Sequence, residues 1–197
     1  MSSTSVKTKI DSNYFKPKEI TSPNKDTPGF SKTVYSHITN LHRILSDWSS
    51  LRDKGAKICK SISALRLHEY EDNYYPYQTK SLIDSLLEAL DGLANVLEGV
   101  NIICIQMQAL SKLQYTQEPV INTWSVCEIA ENITKMKQGL QKEFELKKVI
   151  TENIAHCRDE ALIEVYVSGW EIDSYFCKEL SAYLFAEVGL KSTPFWG

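Results

Sequence analysis

The sequence predicts an all-α protein, folded as an elongated antiparallel bundle of three long helices with two short helices near the C-terminus. Prolines interrupt helix interiors, and they leave three long proline-free runs, at 29–75, 77–118 and 120–193. Within these runs, apolar residues recur every three or four positions, as they do on a helix that buries one face. No segment shows the sustained two-residue alternation of a strand.

The composition is that of a folded domain. The chain has 197 residues, of which 43% are hydrophobic and 24% charged. Its net charge of −3 argues against a basic nucleic-acid binder. No stretch reaches the roughly 18 uncharged apolar residues of a membrane span, and the N-terminus has no apolar core of an export signal, so we expect neither. The five cysteines lack Cys-x-x-Cys spacing and are predicted to be reduced, buried thiols.

Residues 1–30 are predicted to form a disordered, mildly basic tail, because lysines alternate there with polar residues and prolines. The tail contains Ser22-Pro23-Asn24-Lys25, which fits the Ser-Pro-x-Lys pattern that proline-directed cell-cycle kinases favour. Ser22 is therefore a candidate phosphorylation site, although so short a pattern also arises by chance.

The first long helix is predicted at 31–67 from a stripe of apolar residues spaced mostly by three or four. Its members are Val34, Ile38, Leu41, Leu45, Trp48, Leu51, Ile58, Ile62 and Leu65. Gly55 lies inside the stripe and costs about 1 kcal/mol relative to alanine, so we expect a weak point or a kink there. An acidic, tyrosine-rich loop containing Pro76 ends the helix.

The second long helix is predicted at 80–115. Its stripe consists of Ile83, Leu86, Leu87, Leu90, Leu93, Leu97, Val100, Cys104, Met107, Leu110 and Leu113. Gly92 and Gly99 lie seven residues apart on one face. Small residues at that spacing either allow a close approach of two helices or simply accommodate a neighbouring side chain.

The third long helix, at 125–157, begins with a strong local signal. Ser125 and Glu128 form the pattern of a capping box, and Trp124 and Ile129 are placed as a hydrophobic staple. Glutamates and lysines alternate on the polar face of this helix. We expect pairs such as Glu143 with Lys147 to be solvated intra-helix ion pairs, and the interleaved charges argue against direct nucleic-acid binding.

Two short helices are predicted to complete the bundle, which occupies 31–190. Asp159 is placed to cap a helix at 159–168, and Asp173 one at 173–188. Gly189 suits the position just past a helix end. Residues 191–197 form an aromatic tail.

The chain lacks the usual motifs of enzymes. It has no Gly-rich phosphate loop, no G-x-S-x-G and no H-E-x-x-H, and its four histidines lack metal-ligand spacing. We therefore expect no catalytic, cofactor or metal site. The remaining enzyme hypothesis would depend on His156, Asp159 and nearby acids.

Aromatic residues are the best candidates for partner binding, because they are common among interface hot spots. The candidates are Trp48, Trp124, Tyr166, Trp170, Phe195 and Trp196. Core packing is the alternative for the first four, and the staple alone would explain Trp124. Phe195 and Trp196 follow a proline near the end of the sequence and are candidates for a docking peptide.

Several short patterns occur in a fixed order along residues 38–176. They are Trp48-x-x-Leu51-x-Asp53-x-Gly55, Leu90-Asp91-Gly92-Leu93, Thr123-Trp124, Lys142-Glu143-x-x-Leu146-Lys147, Ala155-His156-x-x-Asp159-x-x-Leu162 and Tyr166-x-Ser168-x-Trp170. In this order and spacing the chain resembles the cyclin-dependent kinase 2-interacting protein family. The tail, the tyrosine-rich loop and the last twenty residues depart from the family pattern.

The resemblance implies a non-enzymatic adaptor without cofactors. Its implied protein partners are cyclin-dependent and replication kinases, AAA+ ATPase subunits of the spermatogenesis-associated class and a second small helical subunit. Family membership would place the chain in DNA replication, checkpoint signalling after DNA damage and maturation of pre-60S ribosomal particles. The implied location is the nucleus, with the cytoplasm as a second compartment. The alternative function is a structural coiled-coil subunit of another nuclear or tethering complex.

Overall fold

The computed structural model describes residues 29–68, 77–113 and 117–191. This part of the chain contains five helices and no strand, which confirms the all-α prediction. The helices are α1 (Phe30–His68), α2 (Tyr77–Leu113), α3 (Val126–Asn153), α4 (Glu160–Glu171) and α5 (Lys178–Glu187).

The three long helices pack as an antiparallel bundle with α2 between α1 and α3. The α1–α2 pair is antiparallel, because Gly92 faces Leu51 whereas the later Gly99 faces the earlier Ile44. On the other side of α2, the Cys104 thiol lies 3.5 Å from the Thr134 hydroxyl of α3. Helix α4 packs against α1 and α3, the two helices that α2 also contacts, and therefore lies on the opposite side of them from α2.

The core consists largely of the apolar stripes that the periodicity indicates, but Leu87 and Leu113 of the second stripe are exposed. Fully buried members include Val34, Ile38, Leu41, Trp48 and Ile62 of α1, Leu86, Leu93, Val100 and Met107 of α2, and Ile129, Ile133, Leu140 and Ile150 of α3. Burial of side chains of this size contributes about 1.5–3 kcal/mol each, so the stripes supply most of the driving force for assembly.

Gly92 and Gly99 allow α1 and α2 to approach closely. A Cβ atom at position 92 would lie 2.8 Å from Leu51 Cδ2, and one at position 99 would lie 3.1 Å from Ile44 Cδ1. The two glycines thus form shallow recesses for two side chains of α1. Both of the sequence interpretations, close approach and accommodation of a neighbour, describe this contact.

Gly55 has a different neighbour. Helix α1 continues through it without interruption, and Trp170 of α4 lies directly against it. A Cβ atom at position 55 would be 2.0 Å from Trp170 Nε1. Gly55 therefore leaves room for a buried indole, and the kink considered from the sequence is not present.

Local capping signals set the starts of α3 and α4. The predicted capping box is confirmed: Glu128 N donates to Ser125 Oγ at 3.3 Å, and Ser125 N donates to Glu128 Oε2 at 2.7 Å. The hydrogen bonds that Ser125 N and Ser125 Oγ donate to the Glu128 carboxylate hold its pKa below the ordinary value. Asp159 caps α4 as predicted, with Oδ1 accepting from Ala161 N at 3.0 Å.

The predicted cap of α5 is wrong. The N-cap residue is Cys177, while Asp173 is buried in the interior between α4 and α5. Its carboxylate forms buried ion pairs with Arg52 and Lys147. The end of α5 is as predicted: Gly189 has φ +72°, and Leu190 N donates to Phe185 O at 2.9 Å, as in a Schellman motif.

Helix α2 between Thr79 and Leu113 is long and apolar enough, by length and composition, to cross a membrane. The prediction that no membrane span is present used a stricter criterion, which was a stretch of roughly 18 uncharged apolar residues. A helix at the centre of a bundle has the same composition, and α2 buries Leu86, Leu93, Val100 and Met107 against its neighbours. Its exposed apolar side chains are considered below.

The prediction of uniformly buried cysteines is correct for Cys59 and Cys104 only. Cys127 and Cys177 are exposed, and Cys157 is half-buried. Burial raises the pKa of Cys59 to about 12, although the nearby Lys147 ammonium acts in the opposite direction. Cys59 therefore stays a protonated thiol at neutral pH.

Candidate partner-binding surfaces

Four buried charged residues from three parts of the chain meet in the interior. We call this cluster the polar junction; its members are Arg52, Glu143, Lys147 and Asp173. The Asp173 carboxylate accepts from Arg52 Nη1 at 2.9 Å and from Lys147 Nζ at 3.0 Å. The junction thus ties α1 and α3 to the connection between α4 and α5.

Glu143 extends the junction toward α5. Its carboxylate accepts hydrogen bonds from the backbone N–H groups of Tyr175 and Phe176 and lies 3.5 Å from Lys147 Nζ. Glu143 and Lys147 do pair, but both side chains are fully buried, so the expected solvated ion pair is wrong. The α4–α5 connection covers what would otherwise be an exposed face of α3.

The junction is balanced in charge and in hydrogen bonds. Two cations face two buried carboxylates, and the half-exposed Asp53 takes a further bond from Arg52 at 2.8 Å. Because removing charges from water costs several kcal/mol per ion, such a cluster adds little net stability but makes every alternative arrangement unfavourable. We infer that it fixes the position of the α4–α5 connection.

Two of the predicted partner-binding aromatics belong to this interior. Trp48 and Trp170 are fully buried. Trp48 Nε1 donates to Asp173 Oδ1 at 3.4 Å, and Trp170 Nε1 donates to Arg52 O at 3.0 Å. The structure thus gives both residues packing roles, and a role in partner binding stays a prediction.

The other candidates lie elsewhere. Trp124 and Tyr166 are half-buried and pack against the core. Ser22, Phe195 and Trp196 lie outside the described residues, so their roles stay predictions too. The residues that suggested a family resemblance include Trp48, Gly55, Glu143, Lys147 and Trp170, and all of these lie at or next to the polar junction.

Glu187 forms a second polar brace, at the C-terminal end of α5. Its carboxylate accepts from Asn122 N and Trp124 N, both at 2.9 Å, and from the Thr123 hydroxyl at 2.7 Å. Burial by itself would raise the pKa of Glu187, but the hydrogen bonds from Trp124, Thr123 and Asn122 hold the pKa below its ordinary value. These hydrogen bonds hold the segment that leads into α3 against the C-terminal end of α5.

Glu187→Gln should destabilise the fold at neutral pH, by about 1–2 kcal/mol, because charge-assisted hydrogen bonds are lost. Since folding lowers the pKa of Glu187, its contribution is complete above the ordinary value of 4.5 and is lost as pH falls through the folded-state value. Urea unfolding at pH 7 and pH 3 should therefore show a wild-type advantage that shrinks in acid. A difference of equal size at both pH values would contradict this role.

The seam between α3 and α4 carries a row of exposed apolar side chains. We call it the α3–α4 seam; its members are Val149, Leu162, Val165, Ile172 and Tyr175, with exposed fractions from 39% to 62%. Gly169 brings the helices together, since a Cβ atom there would lie 3.0 Å from Ile150 Cδ1. Val165 precedes Gly169 within α4, and Ile172 is the C-cap residue of this helix. Val149 adjoins Ile150, and Tyr175 lies beneath Lys142 Nζ at 5.8 Å from the ring centre.

Sequence reasoning missed most of this seam. A signal was present, because α4 (EALIEVYVSGWE) has more apolar residues than one buried face accommodates. Ile163 and Trp170 face the core, which leaves Leu162 and Val165 on a second apolar face. Tyr166, which was predicted to bind a partner, lies on α4 between these two faces.

No group of three or more His, Cys, Asp or Glu side chains in the described residues is placed to hold a metal ion. An open groove of about 230 Å³ lies between α2 and α3. It is lined by Ala94, Leu97, Glu98, Asn101, Lys137, Gln141 and Phe144.

No family model matches the chain. Three curated mammalian proteins, each named "Cyclin-dependent kinase 2-interacting protein", are similar to it. The mouse protein (Mus musculus) is 25% identical over 179 residues, which cover 77% of this chain and 84% of the mouse protein. The bovine protein (Bos taurus) is 20% identical, with 83% and 89% covered, and the human protein (Homo sapiens) is 21% identical, with 71% and 79% covered. The chain is thus distantly related to this family.

Proposed function

We propose that this chain is a non-enzymatic adaptor that links cell-cycle kinases to the DNA replication machinery. Two findings support an adaptor: the helical bundle, and the distant relationship to proteins whose names record an interaction with a kinase. The observation that carries the proposal is the α3–α4 seam, an exposed apolar surface built by two helices.

The seam has the composition of a protein-binding surface. Exposed apolar side chains that lie along one edge of a fold are typical of protein-binding surfaces. Val165 and Ile172 are 62% and 55% exposed, and Tyr175 adds an aromatic ring at one end. The exposed Lys142, whose ammonium lies over the Tyr175 ring, would form part of the polar rim of an interface.

The finer assignment follows the family resemblance. We propose that the chain is a subunit of an assembly around AAA+ ATPases of the spermatogenesis-associated class, together with a second small helical subunit. That assembly would remodel replication machinery, mature pre-60S ribosomal particles and take part in checkpoint signalling after DNA damage. The proposed compartment is the nucleus, with the cytoplasm as the second. In these roles the chain needs no cofactor, no membrane and no direct contact with nucleic acid.

The alternative is a structural coiled-coil subunit of another nuclear or tethering complex. Ile102, Ile105 and Leu113 on α2 favour it, because they lie exposed at the spacing of a helix–helix interface. Sedimentation of the isolated chain separates the two functions. A compact monomer fits the adaptor, whereas self-association through α2 fits the coiled-coil subunit.

The seam is tested with the double variant Val165→Ser/Ile172→Ser. Because both side chains are exposed, the thermal midpoint should change little, while recovery of a kinase or of AAA+ ATPase subunits from nuclear extract should fall at least about tenfold, equivalent to about 1.4 kcal/mol. Tyr183→Ser, at an exposed position on α5, is the matched control. Undiminished recovery, or recovery of neither protein class with the wild-type chain, would refute the proposal.

A further inference from the structure

The outward face of α2 changes character along its length. Its first half is mainly acidic, with the exposed Leu87 among the carboxylates, and its second half is mainly aliphatic. We call the two halves together the α2 outer face; its members are Asp84, Glu88, Asp91 and Glu98, followed by Ile102, Ile105, Ala109 and Leu113. All of these side chains are exposed. The face is separate from the α3–α4 seam, because α2 and α4 lie on opposite sides of α1 and α3.

Most carboxylates of the acidic half have no ion-pair partner among the described residues. Asp84, Asp91 and Glu98 follow each other at intervals of seven residues, so they lie in one row along the helix. Among the described residues, no lysine or arginine makes an ion pair with any of these three carboxylates. Glu88 is 3.8 Å from Lys54 of α1, an exposed pair that contributes little.

The aliphatic half is equally uncovered. Ile102, Ile105 and Leu113 are 47%, 57% and 78% exposed. They point away from both neighbouring helices, since Gly99 marks the side that faces α1 and Gln108, bonded to Thr134, marks the side that faces α3. Neither neighbour therefore buries this part of α2.

We propose that the α2 outer face binds one amphipathic helix of another protein, whose docking side is rich in lysine or arginine over one half and aliphatic over the other. A helix is the fitting occupant because the rows 84, 91, 98, 105 and 88, 95, 102, 109 repeat every seven residues, the period of two helices crossing at about 20°. From Asp84 to Leu113 the face is about 44 Å long at 1.5 Å per residue, so the docking helix has about eight turns.

A second copy of this chain fits the face poorly. In a parallel pair, the carboxylates of one copy would face those of the other. In an antiparallel pair that covers the whole face, Lys112 would approach Asp84, but Asp91 would face Ile105 and Glu98 would face its own counterpart. Both arrangements bury like charges together or carboxylates against aliphatic side chains, which is unfavourable. The charge pattern therefore favours a basic partner of different sequence.

The proposal deepens the adaptor function, on which it rests, by adding a second binding surface. Its test places a photo-crosslinking amino acid at Asp91 in one protein and at Ile102 in another, each irradiated in nuclear extract, with the crosslinked peptides sequenced. Both probes should capture one helical segment of one protein. The probe at Asp91 should react within a basic stretch, and the probe at Ile102 with an aliphatic stretch about eleven residues away along that segment, to match the spacing on α2.

Affinity for a synthetic peptide of the captured segment completes the test. Asp91→Lys/Glu98→Lys and Ile102→Ser/Ile105→Ser should each weaken its binding at least about tenfold, and added salt should weaken binding to the wild-type chain. The seam variant Val165→Ser/Ile172→Ser is the control and should bind the peptide normally. Crosslinks to a second copy of this chain, to a segment without the basic–aliphatic order, or to nothing would overturn the inference. If one of these outcomes occurred while the seam variant still failed to recover its partners from the extract, this inference would fail and the adaptor function would stand.

Discussion

Asp173→Ala should destabilise the folded chain by about 3–5 kcal/mol, the cost of leaving buried charges without a partner. The Asp173 carboxylate is fully buried and is bonded to Arg52 and Lys147 at 2.9 and 3.0 Å. Its loss also removes the acceptor of Trp48 Nε1. A domain of this size loses about 2–4 °C of thermal midpoint per kcal/mol, so the variant should unfold at least about 6 °C below the wild type in a calorimeter.

Asp53→Ala is the matched control for this variant. Asp53 also binds Arg52, at 2.8 Å, but its side chain is 49% exposed. Water replaces such a partner readily, so the expected loss is below about 1 kcal/mol. If the two variants lost equal stability, the polar junction would not be the buried, charge-balanced cluster described above.

The sequence predicted the elements of the fold because their signals are local. Helix periodicity and the Ser125–Glu128 and Asp159 caps depend on residues within a few positions of one another, and the structure confirms both caps. The polar junction depends instead on contacts between distant residues. Arg52 and Asp173 are 121 positions apart, and nothing in the neighbourhood of either residue specifies the other.

Glu143 and Lys147 show why the sequence predicted a solvated ion pair where the structure has a buried one. An (i, i+4) pair of opposite charges is typical of a solvated helix face. Whether it is exposed depends on what packs over it, here the backbone around Tyr175 and Phe176. The same limit applies to the candidate site, since aromatic residues alone do not distinguish the buried Trp48 and Trp170 from a surface such as the α3–α4 seam.

Gly55→Ala should destabilise the chain by about 2–4 kcal/mol, although helix propensity alone predicts a gain of about 1 kcal/mol. The added Cβ atom would lie 2.0 Å from Trp170 Nε1 and 2.2 Å from Cε2, atoms of a rigid and fully buried ring. The indole must move, which breaks its hydrogen bond to Arg52 O and opens the α1–α4 contact. Urea unfolding measures the loss.

Gly99→Ala is the matched control, because its Cβ atom would be 3.1 Å from the terminal Cδ1 of Ile44. That flexible methyl group yields easily, so propensity and crowding should nearly cancel, within about 1 kcal/mol. Comparison of the two variants thus separates the effect of helix propensity from the effect of a tertiary contact. If Gly55→Ala were as mild as Gly99→Ala, Trp170 would not be seated on α1.

A double-mutant cycle locates the effect of Gly55→Ala in the indole itself. Trp170→Leu removes most of the ring and should by itself cost about 3 kcal/mol or more. In that background the Cβ atom at position 55 no longer meets the indole, so Gly55→Ala should become neutral or stabilising, with a coupling energy of at least about 2 kcal/mol. Simple additivity of the two losses would mean that the alanine acts on α1 alone, and that the close approach of α4 is not what requires a glycine at this position.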